Sequence, residues 1–277
     1  MKLIADSGST RTTWQVSDRF ISIKEHSTTG INPFYQTEEE IAELVSENLA
    51  PALITYPIDE IFFYGAGCAF DDKKKMVANA LKASFPEAQI SVESDLLGAA
   101  RGLFGHEKGI ACILGTGSNS CAYDGNSIVK NVSPLGFILG DEGSGAVLGK
   151  LFIGDCLKNQ LPEWIKEKFL DEYELTPAII LERVYKKPFP NRFLASFTPF
   201  LSTHLEEPAI FNLVYEAFDA FIVRNLLQYN TAELPIGCIG SIAWYFRDVL
   251  EIVASEHQLS ISSIEKNPVE GLVKFHG

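Results

Sequence analysis

An α/β fold of two similar lobes is the expectation from three observations on this 277-residue chain. Short apolar strands alternate with amphipathic helical stretches, and the opening order of elements returns in the second half. Each copy also begins with a strand, a turn rich in Gly, Ser and Thr, and a second strand. Such alternation is how layered sheet-and-helix domains are written in sequence. The length fits two domains at roughly 150 residues each.

The elements follow in order. Residues 2–6 and 12–17 read as strands around a small polar turn, and 19–26 continues with alternating character. Thr37-Glu38-Glu39-Glu40 spells a capping box, in which the threonine oxygen meets the Glu40 N–H and the glutamate reaches back. Ile41, Leu44, Val45 and Leu49 extend it as an amphipathic helix. Residues 58–64 form a buried strand running into Gly65-Ala66-Gly67, 71–85 a helix, 88–93 a strand and 95–104 a short helix.

The second copy starts with a strand at 109–114, the turn Gly115-Thr116-Gly117-Ser118, and a strand at 119–123. Asp124-Gly125-Asn126 signals a hairpin before a third strand at 127–132. A helical stretch runs from 142 to 229, with Ile210, Val214, Ala217, Phe218 and Phe221 as its buried stripe. A strand at 236–239 feeds a helix carrying Ile242, Phe246, Val249, Leu250 and Val253. The chain closes with a strand at 259–264 and a helix at 268–275. The expected lobes are 1–107 and 108–265, with a helical insertion at about 160–230 in the second and 266–277 crossing back onto the first.

Composition narrows the class. Apolar residues make up 46% and charged residues 21%, the proportions of a folded globular chain. A net charge of −13 argues against nucleic acid or an anionic membrane as partner, since both reward a cationic face. No apolar run approaches the roughly 18 residues needed to span a bilayer, and the N-terminus lacks the pattern of a secretory signal, so a cytoplasmic location is expected. Cys68, Cys112, Cys121, Cys156 and Cys238 are widely spaced and contain no Cys-x-x-Cys pair, and the five histidines are equally scattered. They read as core thiols and surface imidazoles. Oligomeric state is not written in the sequence, and a homodimer is one option.

Three glycine-rich segments carry the chemistry: Asp6-Ser7-Gly8-Ser9-Thr10-Arg11-Thr12, Gly115-Thr116-Gly117-Ser118-Asn119, and Gly237-Cys238-Ile239-Gly240-Ser241-Ile242-Ala243 at a strand-to-helix junction. Glycine lets backbone N–H groups approach an anion, hydroxyls add donors, and a helix start adds a favourable dipole. Together they are expected to grip one polyphosphate. Ser144 to Leu151 lacks the first glycine and final hydroxyl of a Gly-x-x-x-x-Gly-Lys-Ser/Thr loop, and no segment carries the three glycines of a dinucleotide fingerprint.

Acids accompany these turns. Asp6, beside the first turn, is placed to hold magnesium directly or through water, or else starts the turn. Asp95 opens a helix, where it serves either as an N-cap or as a reactive carboxylate. Asp141 and Glu142 lie among three glycines in Leu139-Gly140-Asp141-Glu142-Gly143-Ser144-Gly145, which favours a site for hydroxyl groups over capping alone.

Taken together, these segments resemble the N-acetylglucosamine kinase-like branch of the BadF/BadG/BcrA/BcrD-type ATPase family, within the actin, heat-shock chaperone and hexokinase superfamily. The resemblance spans the chain from Asp6 to Gly271 and is most specific at residues 139–145. It implies a duplicated ribonuclease H-like (actin-like ATPase) fold with two lobes around a nucleotide cleft, and an ATP-dependent, magnesium-dependent kinase that phosphorylates the 6-hydroxyl of an amino sugar. By that resemblance Asp6 is the metal anchor, and Gly8, Ser9 and Thr10 form the first phosphate motif. Gly115, Thr116, Gly117 and Ser118 form the second, and Gly240, Ser241 and Ala243 the adenosine motif. Asp95 is then the catalytic base, with Asn32, Gly65, Asp141 and Gly145 on the sugar. Two departures stand out: Ser7 replaces a usual glycine, and Ser133-Pro134-Leu135-Gly136-Phe137 replaces a tryptophan-containing stretch on the sugar side. The same resemblance leaves open an N-acetylmuramic acid kinase, an ATPase activator of a radical dehydratase, and a non-catalytic nucleotide-binding protein.

Overall fold

The computed structural model describes residues 1–277. The first series is β1 (Lys2–Ser7), β2 (Arg11–Asp18), β3 (Ile21–Thr29), α1 (Glu38–Leu44), β4 (Glu60–Gly65), α2 (Asp71–Ser84), β5 (Gln89–Ser94) and α3 (Asp95–Phe104). The second opens with β6 (Gly109–Leu114), β7 (Ser118–Tyr123) and β8 (Ile128–Val132). Helices follow as α4 (Gly136–Leu139), α5 (Gly145–Leu157), α6 (Glu163–Glu172), α7 (Pro177–Tyr185), α8 (Pro190–Ala195), α9 (Thr198–Thr203) and α10 (Pro208–Arg224). The chain ends with β9 (Ile236–Ile239), α11 (Ser241–Tyr245), α12 (Arg247–Glu256), β10 (Ile261–Glu265) and α13 (Val269–His276).

The duplication is plain in the sheets. One has strand order β3-β2-β1-β4-β5, and the other, read from its opposite edge, β8-β7-β6-β9-β10. Numbered within each copy, both are 3-2-1-4-5. The chain divides into two compact units, one of Met1–Cys112, Cys121–Asn131 and Glu265–Gly277, the other of Ile113–Ser120 and Val132–Ile264.

In the first unit, β1 pairs antiparallel with β2 and parallel with β4, which pairs parallel with β5. Alternate residues of β1 face opposite sides of the sheet. Leu3 and Ala5 join Trp14, Phe63, Val77 and Leu81 in the core beneath α1 and α2. Ile4 faces the other way, with Tyr64, Leu272 and Val273, so Asp6 lies on the face covered by α13. The expected capping box is present at Thr37 and Glu40. Beyond α1 the helix widens into a π turn at Val45–Leu49 and then tightens into a 3-10 turn at Ala50–Leu53, where Pro51 cannot continue a regular helix.

In the second unit, α5 is buried almost all round, and Phe152 meets Phe169 edge-on at 4.8 Å between ring centroids. The helical stretch expected from residue 142 starts instead at Gly145. Asp141 (φ 56°) and Gly143 (φ 71°) are left-handed, and Ser144 then caps the helix by accepting from the Val147 N–H. Prolines at 177, 190, 199 and 208 restart the chain at first-turn positions and divide the stretch into separate helices. No helix is long and apolar enough to cross a membrane.

Candidate functional site

In the first unit, the carboxyl ends of three parallel strands bring the candidates together. Ser7 stands opposite Gly65, and Gly65 opposite Ser94. Asp6 and Asp95 therefore flank one sheet end, the place where open α/β sheets bind ligands. Ser94, not Asp95, is the N-cap of α3: its hydroxyl accepts from the Leu97 N–H. Asp95 is the next residue, half-buried, with Oδ1 accepting from the Leu96 N–H at 2.9 Å.

Both carboxyls are pushed upward. Burial, reinforced by the negative charge of Asp95, raises Asp6 to about 7. Burial likewise raises Asp95 to about 6 against two backbone hydrogen bonds that favour its charged form. This end of the sheet is thus short of positive charge at neutral pH. A pair of interacting carboxylates is the kind of oxygen donor set that suits Mg2+, which keeps several waters and takes phosphate oxygens as further ligands.

The first glycine turn is locked to the Asn32 loop. Gly8 N–H donates to the Arg11 carbonyl at 3.0 Å, and Gly30 N–H donates to that of Thr10 at 3.0 Å. A Cβ on Gly30 would lie 2.4 Å from the Gly8 oxygen, whereas one on Gly8 would meet nothing closer than 3.8 Å. The space over Gly8 is open to a ligand. Ser7, the departure from the family pattern, is buried and shares a 2.7 Å hydrogen bond with Thr12 Oγ1 while also bonding the Ile31 backbone. Its hydroxyl thus ties the turn to the following loop.

Asn32 is buried and partly occupied with its own loop, since Oδ1 accepts from the Phe34 N–H at 3.0 Å. Gly67 (φ 82°) sits against it, and a Cβ there would fall 2.5 Å from Asn32 Oδ1. Gly65 lies on β4, with Cys68 Sγ 3.2 Å from its missing Cβ. Gly30 and Gly67 are site positions that the three glycine-rich segments do not include. Gly30 beside Asn32, and Gly67 after Gly65, were the available signals.

The second unit gathers the other two glycine segments. Gly115 N–H donates to the Gly117 carbonyl at 2.9 Å, matching the role of Gly8, and a Cβ on Gly115 would meet nothing closer than 4.0 Å. Gly240 (φ 124°) lies beside this turn, where a Cβ would fall 2.2 Å from the Leu114 oxygen and 3.3 Å from the Gly115 nitrogen. Only glycine fits that backbone and that gap. Ser241 is exposed at the start of α11, while Ala243 is fully buried. Thr116 is half-buried and Ser118 buried.

Asp141 rests on this second turn. It accepts a hydrogen bond from the Ser118 backbone, and Oδ2 is 3.1 Å from where a Gly117 Cβ would be. Burial first, then the neighbouring Glu142, raises its carboxyl to about 6. Glu142 is held by Arg224 at 2.9 Å. The start of α5 is spent on the turn as well, since the Gly145 N–H donates to Gly115 and the Ala146 N–H to Thr116, at 2.8 and 3.0 Å. The Gly145 N–H is therefore committed within the protein.

Two sheets of identical order, each with a glycine turn between its first two strands, define a protein of the duplicated ribonuclease H-like, actin-like ATPase fold. A crystal structure of a provisionally named N-acetylglucosamine kinase from Porphyromonas gingivalis matches it with a TM-score of 0.97 and 51% identity, over 100% of this chain and 98% of that one. The chain belongs to this N-acetylglucosamine kinase-like family. A provisionally named N-acetylglucosamine kinase from Chromobacterium violaceum shares the fold at TM-score 0.68 and 18% identity, over 100% of this chain and 98% of that one. A ROK family glucokinase from Streptomyces griseus, solved with glucose and AMPPNP, shares it at TM-score 0.59 and 14% identity, over 99% and 97%. No protein-family model matches the chain. No curated protein matches it either.

Proposed function

We propose that this protein is an ATP-dependent sugar kinase that transfers a phosphoryl group to the 6-hydroxyl of an amino sugar, N-acetylglucosamine first among candidates. The observation that carries the reading is the Asp6–Asp95 pair at one sheet end, with Asp95 at about 6 and therefore ionised at neutral pH yet basic enough to take a proton. Kinship at 51% identity with the Porphyromonas gingivalis protein supports the same class.

Phosphoryl transfer asks for positioning and charge neutralisation more than covalent chemistry. In this reading Asp95 accepts the proton of the attacking hydroxyl, while Asn32 and Asp141 orient sugar hydroxyls. The turns at Gly8–Thr10 and Gly115–Ser118 present backbone to the phosphates, and Gly240 and Ser241 border the nucleoside. Asp6 would hold Mg2+, which supplies positive charge to the phosphates when bound. A coupled ADP-release assay over neutral and amino sugars, with the product position read by NMR, tests the reading. Sugar-dependent ADP release and a 6-phosphate product support it; nucleotide binding with no sugar-stimulated turnover would return the protein to the non-catalytic class.

A second reading, an N-acetylmuramic acid kinase, gains support from Lys73. Its Nζ lies 5.3 Å from the Phe34 ring centre, and Phe34 borders Gly67 in the Asn32 loop. Of the arginines that could meet such a carboxylate, Arg11 bonds Ser27, Arg101 lies against Tyr64 and Arg192 lies over the Phe189 ring. In this reading Lys73 would meet the substrate carboxylate, and comparing phosphorylation of the two sugars decides between them. The dehydratase-activator reading lacks such support. All five cysteines are buried, and burial pushes the thiols of Cys68 and Cys121 up to about 12, away from the thiolate form that ligates iron.

A further inference from the structure

The Tyr185–Phe193 segment has no part in the chemistry above, yet it bounds a groove of about 500 Å3 lined by Arg183, Lys187, Pro188, Phe189, Arg192 and Phe193. Small-molecule pockets occupy roughly 300–1,000 Å3. Three cations converge here on a chain whose net charge is −13. Ring faces hold two of them: the Arg192 guanidinium is 4.2 Å from the Phe189 ring centre, and that of Arg183 is 4.8 Å from that of Phe193. Lys187 pairs with Glu182 at 3.0 Å, so that carboxylate offsets one charge and leaves the groove cationic. Phe189 is held at φ 57°, a left-handed conformation that a bulky residue adopts only under constraint from its surroundings.

We propose that this groove binds a small phosphate monoester whose remaining part presents an apolar face, the class to which a phosphorylated sugar belongs. A phosphate monoester is close to dianionic at pH 7, and guanidinium forks match its oxygens two at a time. Phe189, Phe193 and Pro188 supply the apolar walls that a bare anion would not use. None of the residues lining the groove is among the glycine turns and acids assigned above, although Ala195 of α8 lies 3.2 Å from where a Gly145 Cβ would be. Its floor helix, α8, packs on α5, where the Leu194 oxygen fills the space a Cβ of Gly149 would need.

Hydrogen–deuterium exchange on the 277-residue chain reads this segment directly, and variants at the groove separate binding there from binding at the kinase site. N-acetylglucosamine 6-phosphate is expected to protect residues 177–196 saturably. Inorganic phosphate should do so at least tenfold more weakly, and the neutral sugar should not. Arg183→Gln, on an exposed side chain, and the double variant with Lys187→Gln should each weaken that protection at least tenfold while leaving the melting temperature and sugar turnover near wild type. The proposal is overturned by no protection at this segment, by equal protection from inorganic phosphate, or by protection indifferent to both variants.

Discussion

Gly98 on α3 lies directly against the side chain of Tyr64 on β4: a Cβ on Gly98 would fall 2.8 Å from the tyrosine Cβ and Cγ. Tyr64 stands opposite Asp6 in the sheet, and Gly98 is one helical turn after Asp95. This contact sets how closely α3, and with it Asp95, approaches Asp6. Gly98→Ala should force the helix outward, cost about 1–3 kcal/mol of stability and lower turnover at least tenfold. Thermal melts alongside steady-state kinetics check both effects.

Gly240 makes a stricter demand. Its φ of 124° and its 2.2 Å approach to the Leu114 oxygen exclude any side chain. Gly240→Ala should cost about 3 kcal/mol or more through backbone strain and displacement of the second glycine turn. ATP affinity, measured by calorimetry at a temperature where the variant remains folded, should fall with it.

The raised carboxyls predict a stability profile of definite sign. Asp6 near 7 and Asp95 near 6 bind more protons in the folded protein than in the unfolded chain between about pH 4 and pH 7. Stability of the ligand-free protein should therefore decline as pH rises through that window and level off above it. Asp6→Asn removes a charge that folding disfavours, and should raise the melting temperature at pH 8 by about 2–4 °C, the equivalent of about 1 kcal/mol. At pH 4 the gain should vanish. Melting curves across pH 4–8 check this.

Activity should follow the opposite slope. The general base and the proposed metal anchor must both be ionised, so kcat/KM should begin to fall below about pH 7, where Asp6 takes up a proton, and more steeply below about 6, where Asp95 does. A pH–rate profile with buffer ionic strength held constant measures that limb.

What could be read from sequence was local. The capping box at Thr37 and the repeated strand-turn-strand openings rest on spacings of a few residues, and the helix starting at Asp95 rests on its apolar period. Asp95 was legible as a residue at a helix start, but its capping role belongs to Ser94, whose shorter side chain reaches the Leu97 N–H. α5 starts three residues after the expected position because left-handed Asp141 is invisible to hydrophobic periodicity. The expected helix through Ile242 and Val253 is divided at Phe246 for a similar reason: the period continues while the backbone turns. Gly30 against Gly8, and Gly240 against Leu114, are long-range approaches, and no pattern within a short window encodes them.

Sugar-dependent ADP release by Asp95→Asn, measured beside its ATP affinity, tests the central claim most directly. The predicted result is a fall in turnover of about 10²–10⁴-fold, the usual worth of a positioned general base, with ATP dissociation constants within about threefold of wild type. Turnover equal to wild type with the same sugar would contradict the account, because the proton would then leave the hydroxyl by a route in which Asp95 has no part.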